Sequence, residues 1–266
     1  MHSDILTIAW IQTDLEWENP VVNRERICQK IAEIPKNVDL IVLPELFSTG
    51  FTMNAQAVAE TMHGDTIAWL QDLAKANNCA ITGSLVIEEN GAFYNRLVFV
   101  FPDGEIQYYD KKHLFTLAGE EKVYTFGKEK LIIEYKGWRI CPLICYDLRF
   151  PVFSRNTASY DVLLYVANWP SPRINAWDAL LKARAIENCC YVVGVNRIGM
   201  DANDLDYPGH SQAIDFAGNL LHEALKQVKY EGDEEVVLNR MKAEGLLNEE
   251  EGNELQAKLK EVIYHT

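Results

Sequence analysis

The stretch WRICPLICYDLRFP, residues 138–151, decides how the rest of the chain is read. Its first half is an apolar run with the length of a buried strand, ending at Ile144. It then presents Cys145 and turns at once into Tyr146, Asp147, Leu148 and Arg149. A thiol at the carboxyl end of a buried strand, followed by a sharp turn, is where an α/β protein can hold a nucleophile at a crevice with backbone N–H groups beside it. Free cysteine is also among the most often buried residues and commonly behaves as a small hydrophobe. What makes Cys145 a candidate is two other strand ends, carrying Glu45 and Lys111.

Working outward, residues 131–135 and 138–144 read as a hairpin turning at Lys136-Gly137. Upstream, residues 5–11 and 39–43 are apolar strands around a helix, for which Asn19 is the expected N-cap and Pro20 the first helical position; Ile27, Ile31 and Ile34 line one face. Asp65 is expected to cap a second helix with Ile67, Leu70 and Leu73 inward. Residues 79–87, 93–101 and 105–110 follow as strands, the first pair joined by Asn90-Gly91, where both turn positions tolerate positive φ. Three consecutive strands imply a mixed sheet rather than a strictly alternating βαβ pattern, and neither GxGxxG nor a P-loop occurs. Downstream, residues 161–167 form an apolar strand ending in Asn168-Trp169-Pro170. Asn175 is expected to cap a helix running to about Asn188, with Trp177, Leu180 and Leu181 inward and Arg184 on the same face, partly buried and paired. Residues 189–198 and 211–216 read as further strands, the second turning at Ala217-Gly218-Asn219.

The 266 residues carry a net charge of −14 and 48% hydrophobic side chains, enough for a substantial core in one domain, residues 1–266. That acidity argues against nucleic acid or an anionic membrane as partner, since phosphate binding needs Lys and Arg stripes. The six cysteines show no CxxC or Cys/His ligand spacing, so neither a metal nor a disulfide framework is expected. Cys189 and Cys190, adjacent on an expected strand, would point to opposite faces. With no basic leader and no span-length apolar window, the expectation is a soluble, cytoplasmic protein. Residues 231–266 hold ten acidic and four basic side chains. Asn248 followed by Glu249, Glu250 and Glu251 starts an expected helix there, with Leu255, Leu259, Val262 and Ile263 as an apolar stripe.

Glu45 follows DLIVLP, Lys111 follows IQYYD and Cys145 follows CPLI. If those strands are neighbours, their ends meet at one sheet edge. Each side chain then has a separate task. A cysteine is only a few per cent thiolate near neutral pH and needs a base or a cation to attack. Glu45 can take the thiol proton and return it to a leaving amine. Lys111, with the backbone N–H of Tyr146, can stabilise charge developing on a carbonyl oxygen. The set suits acyl transfer from a C–N bond through a thioester, with no cofactor.

The stretches LPELFSTGF (43–51), YDKKHLF (109–115), CPLICYDLRFP (141–151), VANWP (166–170), KARAIENCCYVVGVNRIG (182–199) and GHSQAIDFAGNLL (209–221) resemble, in order, those of the nitrilase superfamily of carbon–nitrogen hydrolases. The resemblance covers residues 5 to about 225. It implies an αββα four-layer sandwich, two mixed sheets flanked by helices, in a homodimer or larger homo-oligomer. It also implies a Glu–Lys–Cys triad at Glu45, Lys111 and Cys145; the family's lysine stands two before a histidine, which selects Lys111 over Lys112. A second glutamate, seven residues before a glycine, falls on Glu120 rather than Glu121, with the role of orienting Lys111 and the substrate amide. CYDLRFP, ANWP and ARAIEN look most like the small-amide branch, which includes omega-amidases acting on α-ketoglutaramate and α-ketosuccinamate. Such a substrate's free carboxylate needs a cation, and Arg173 and Arg149 are the candidates, each also able to serve as a structural ion pair. Trp169 and Phe51 are expected to wall the pocket. Nitrile, N-carbamoyl and deaminated-glutathione hydrolases share the motifs, and a non-catalytic metabolite-binding scaffold would share the fold. Past about residue 225 the resemblance fades: DEEVVL (233–238) suits a last strand, but the aromatic, Asp-rich tail of this branch is absent.

Overall fold

A computed structural model describes residues 5–225. The expected strand at 233–238 and the acidic helix of 231–266 lie outside them. In chain order the elements are β1 (Ile8–Trp10), α1 (Pro20–Glu33), β2 (Leu40–Val42), α2 (Ala55–Val58), α3 (Asp65–Asn77), β3 (Ala80–Glu89), β4 (Ala92–Val100), β5 (Ile106–Asp110), β6 (Ile133–Tyr135), β7 (Trp138–Ile144), α4 (Pro151–Ser154), β8 (Val162–Ala167), α5 (Ile174–Asn188), β9 (Tyr191–Asn196), β10 (Ile198–Met200), β11 (Asp206–Ile214) and β12 (Leu220–Leu225).

They form two mixed sheets. The first has the order β1-β2-β3-β4-β5, parallel from β1 to β3 and antiparallel from there to β5. In the second, β7, β8 and β9 are parallel, with β6 antiparallel outside β7 and β11 antiparallel outside β9; β10 and β12 both pair β11. Strand alternation builds the layers. Leu40, Val42, Leu97 and Phe99 turn toward the second sheet and join one core with Ile140, Leu164, Val166 and Val193. Their neighbours Ile41, Leu43, Val98 and Val100 face the other way, onto Ile27 and Ile31 of α1 and Ile67 and Leu70 of α3. Helix α5 covers the outer face of the second sheet with Trp177, Leu181 and Ala185. The close approach depends on Gly194 of β9, where a Cβ would stand 2.5 Å from Leu181 Cδ1. The result is the expected αββα sandwich.

Local start signals fare less well than periodicity. Asn19 caps α1, its Oδ1 accepting from Val22 N at 3.2 Å, with Pro20 first in the helix. Helix α3 instead has Gly64 at the cap and Asp65 as its first residue, and α5 begins at Ile174, so Asn175 lies inside it. Cys189 and Cys190 are not on a strand: Cys189 ends α5 in the left-handed region at φ 48° and is exposed, while Cys190 is buried. Strand β11 starts five residues before the expected 211 and runs through Pro208 and Gly209, with a register shift between Gly209 and Ser211. That bulge lets a turn-like DYPGH sequence stay in a sheet.

Candidate active site

Strands β2, β5, β7 and β8 each end at one region with a polar residue just beyond: Glu45, Lys111, Cys145 and Asn168. The strands are not all neighbours, contrary to the expectation. β2 and β5 are separated by β3 and β4, and β7 belongs to the other sheet. The side chains meet because the two sheets stack, with the long Lys111 side chain reaching inward.

Glu45 is fully buried. Its turn is held by Ser84 of β3, whose hydroxyl accepts from Leu46 N at 2.8 Å, with Leu46 at φ 44°. Oε1 accepts from Lys111 Nζ at 2.8 Å and from Asn95 Nδ2 at 2.8 Å, and Oε2 accepts from Asn168 N at 2.8 Å. Glu120, also fully buried, takes Lys111 Nζ on both oxygens at 3.0 Å and Phe115 N on Oε2 at 2.6 Å. Lys111 therefore sits between two carboxylates. Burial works against its charge, but Glu120 and Glu45 outweigh it and raise the ammonium's pKa, which favours the charged form of Lys111. Desolvation raises Glu120 despite Lys111 beside it, with the Glu45 charge adding to the rise. Lys112 turns away, its Nζ 5.2 Å from the Phe126 ring centroid, and Glu121 is exposed.

Cys145 opens the turn after β7 with φ 43°, a conformation that a side chain rarely adopts. Its Sγ faces the Asn168 carbonyl at 3.9 Å. Burial, then the Glu45 charge, hold the thiol well above its ordinary value, with Lys111 pulling the other way. The residue retains some exposed surface because it faces a cavity, while protein surrounds the sulfur on its other sides. The raised value favours the protonated thiol, so the sulfur can serve as a nucleophile only if its proton is taken up nearby.

The cavity, of about 320 Å³, is lined by Lys111 and Cys145 at its buried end. Tyr146, Phe51, Trp169, Arg149 and Arg173 also line it, so every residue expected to contact substrate is present. Lys111 Nζ lies 5.1 Å from the Phe51 ring centroid. Trp169 is also packing: it is buried, its ring lies 5.5 Å from Trp177 with the planes tilted 45° apart, and it donates Nε1–H to Arg173 O at 2.8 Å. Arg149 lies over Trp169 at 5.1 Å and Arg173 over Phe115 at 5.0 Å. Arg24, Arg26, Arg96, Arg139, Arg184 and Arg197 each meet a carboxylate, whereas no ion pair among the described residues engages Arg149 or Arg173. Arg184 is buried as expected, with Glu187 at 2.8 Å and the Leu148 carbonyl at 2.6 Å.

Asn95 escaped sequence reasoning. It is a fully buried polar residue inside an apolar strand, and its Nδ2 reaches both Glu45, at 2.8 Å, and Glu120, at 3.3 Å. An asparagine interrupting AFYNRLVFV was the available signal. Asn168 was read only as a strand end. It also fixes Glu45 through its side chain, Nδ2 donating to the Glu45 carbonyl at 2.7 Å.

Residues 7–231 match the model of the carbon–nitrogen hydrolase family. The chain is 43% identical over 219 residues to the omega-amidase YafV of Escherichia coli K12, covering 82% of this chain and 85% of that one. It is 36% identical over 222 residues to the 2-oxoglutaramate amidase of Bacillus subtilis, covering 82% and 85%. Among solved structures, XC1258 from Xanthomonas campestris, a CN-hydrolase superfamily protein with an arsenic adduct in its active site, superposes with a TM-score of 0.82 at 45% identity, covering 84% of this chain and 87% of that one. The chain belongs to the carbon–nitrogen hydrolase family and is an amidase that hydrolyses C–N bonds.

Proposed function

We propose that this enzyme is an omega-amidase, releasing ammonia from a small dicarboxylate mono-amide such as α-ketoglutaramate or α-ketosuccinamate through a thioester on Cys145. One observation carries the reading. A cavity with a thiol, a cation and an adjoining carboxylate at its buried end has two arginines without carboxylate partners among the described residues lining it. The cavity suits a small amide with an anionic far end.

In the first half-reaction the Cys145 thiol passes its proton to Glu45 as the sulfur attacks the amide carbon. Negative charge develops on the carbonyl oxygen beside Lys111 and the Tyr146 N–H. The C–N bond then breaks, the nitrogen takes the proton from Glu45, and ammonia leaves. In the second half-reaction Glu45 takes a proton from water, the hydroxyl adds to the thioester carbon, and the C–S bond breaks with that proton returned to sulfur. Glu120 and Asn95 hold Lys111 and Glu45 in place throughout. A fixed cation and a base 2.8 Å from it need no rearrangement between the two halves.

Relatives support the substrate class: the B. subtilis protein is named for 2-oxoglutaramate and the E. coli protein as an omega-amidase. The same reading makes the enzyme a cytoplasmic homodimer or larger homo-oligomer, in which six unpaired cysteines suit a reducing compartment. No helix among the described residues is long and apolar enough to cross a membrane. The test is ammonia release from α-ketoglutaramate and succinamate, with nitriles, N-carbamoyl amino acids and neutral amides alongside. Turnover of the mono-amides that is lost in Cys145→Ala supports the assignment. Preference for another substrate group, or turnover that survives the substitution, refutes it.

A further inference from the structure

Lys111 and Cys145 come from different sheets, so something must fix the distance between them. We propose that Asp147 is the positioning residue that does so, a role that rests on the assignment of Lys111 and Cys145 to catalysis. Its carboxylate is fully buried two residues after the nucleophile. Oδ2 accepts from Ile144 N at 3.0 Å, the residue immediately before Cys145, and from Tyr109 Oη–H at 2.7 Å. Oδ1 accepts from His113 N at 2.9 Å and meets His113 Nδ1 at 2.8 Å. Tyr109 and His113 stand two residues to either side of Lys111. One carboxylate therefore grips the lysine-bearing segment at both flanks and closes the turn that holds Cys145 at φ 43°.

The surroundings support a clamp. Opposite an ionised carboxylate, His113 Nδ1 is the ring nitrogen that carries a proton. The ring stacks on Phe150 at 3.7 Å with the planes 7° apart, and Phe150 follows the same turn. The Tyr109 hydroxyl also accepts from Lys112 N at 3.0 Å, so the phenol ties the backbone beside Lys111 to Asp147. Burial and the Asp147 charge hold that phenol well above its ordinary value, keeping it a donor. Every oxygen of Asp147 faces donors only, two of them backbone N–H groups on opposite sides of the carboxylate. An asparagine of the same shape must turn its NH₂ toward one of those N–H groups, loosening either the cysteine turn or the lysine segment.

Asp147→Asn and Tyr109→Phe test this, each read by steady-state kinetics on the amide that the wild type hydrolyses best. The pH profile of Cys145 alkylation by iodoacetamide is read alongside, at the Cys145 peptide by mass spectrometry, which separates it from the exposed Cys28 and Cys189. In Asp147→Asn, kcat is expected to fall about 10- to 100-fold with KM within about threefold, as for a group that acts on the transition state without touching substrate. The alkylation profile is expected to move to higher pH by about one unit as Lys111 drifts from the sulfur. Tyr109→Phe is expected to do both more weakly, about three- to tenfold in kcat, and decides the matter if Asp147→Asn does not fold. Unchanged kcat in the folded variant, a change confined to KM, or a fall in kcat with an unmoved alkylation profile each overturns the proposal. A wild type that hydrolyses no amide would refute the omega-amidase reading alone, since alkylation still reports the coupling.

Discussion

Substituting Glu45 by Gln removes one negative charge and one proton acceptor while keeping the side chain's shape. Glu45 Oε1 faces two donors, Lys111 Nζ and Asn95 Nδ2, and Oε2 faces the Asn168 N–H. A glutamine amide placed there must turn its NH₂ toward one of these sets, leaving at least one buried donor unmet, which costs about 1–3 kcal/mol. The larger penalty of an abandoned buried ammonium does not arise, because Lys111 keeps both Glu120 oxygens at 3.0 Å. Tm is therefore expected to fall by roughly 2–12 °C, at about 2–4 °C per kcal/mol for a chain this size. Catalysis suffers more. The thiol is held well above its ordinary pKa and Glu45 is the carboxylate it hydrogen-bonds, so losing proton transfer is expected to cost about 10²- to 10⁴-fold in kcat. That corresponds to roughly 3–5 kcal/mol on the barrier. The assay pairs ammonia release with thermal unfolding on the same preparation. A folded Glu45→Gln protein with kcat within tenfold of wild type would refute the assignment of Glu45 as the base.

Removing either of the two cavity-lining arginines that lack an ion pair among the described residues separates substrate classes. Arg173→Gln is expected to lower kcat/KM for mono-amides bearing a carboxylate by roughly 10- to 100-fold, the worth of one charge-assisted hydrogen bond, and Arg149→Gln, at a more exposed site, by less. Neutral amides such as propionamide are expected to change less than about threefold, and an equal loss on both classes would contradict the carboxylate-binding role. Gly127 donates its N–H to the Lys111 carbonyl at 2.8 Å, and a Cβ there would lie 2.0 Å from Asp110 O. Gly127→Ala should therefore displace the strand end carrying Lys111, with loss of activity and a lowered Tm; a fully active variant would contradict that. Burial pushes Cys79 from 9.0 up to about 11, and Cys141 and Cys190 up to about 12. Thiols raised in the folded state stabilise it fully below pH 9 and lose that contribution as pH climbs from 9 toward 12. Tm is expected to decline over that alkaline range, and to decline less in Cys79→Ala relative to its own value at pH 8; equal slopes would count against the buried thiols as the cause.

The periodic elements and the reactive strand ends are legible in the sequence. Apolar runs of strand length predict β2, β5, β7 and β8, and strands of this kind place polar termini at a sheet edge, so Glu45, Lys111 and Cys145 stand out as a set. Lys112 and Glu121 show the limit of that reasoning: adjacent in sequence to Lys111 and Glu120, they differ in burial, which no local pattern reports. Family resemblance made both choices. What stays hidden depends on long-range pairing. Asn95 is polar because two carboxylates from other segments converge on it, and Asp147 because Tyr109 of β5 and His113 of the loop after it approach from the other half of the sandwich. Helix starts at Gly64 and Arg173 escape a local reading because a good capping residue stands one or two positions away and tertiary packing sets the boundary instead. The course of β11 through Pro208 and Gly209 escapes it for a related reason, since a bulge hides a strand behind turn residues.

The most direct test of the account is rapid-quench mass spectrometry of the enzyme mixed with α-ketoglutaramate, with the adduct mapped by peptide. The expected result is an acyl group on Cys145 that forms together with the first equivalent of ammonia, decays at the turnover rate, and is absent in Cys145→Ala. Ammonia released at full rate with no acyl group on Cys145, or an acyl group on another residue, would contradict it.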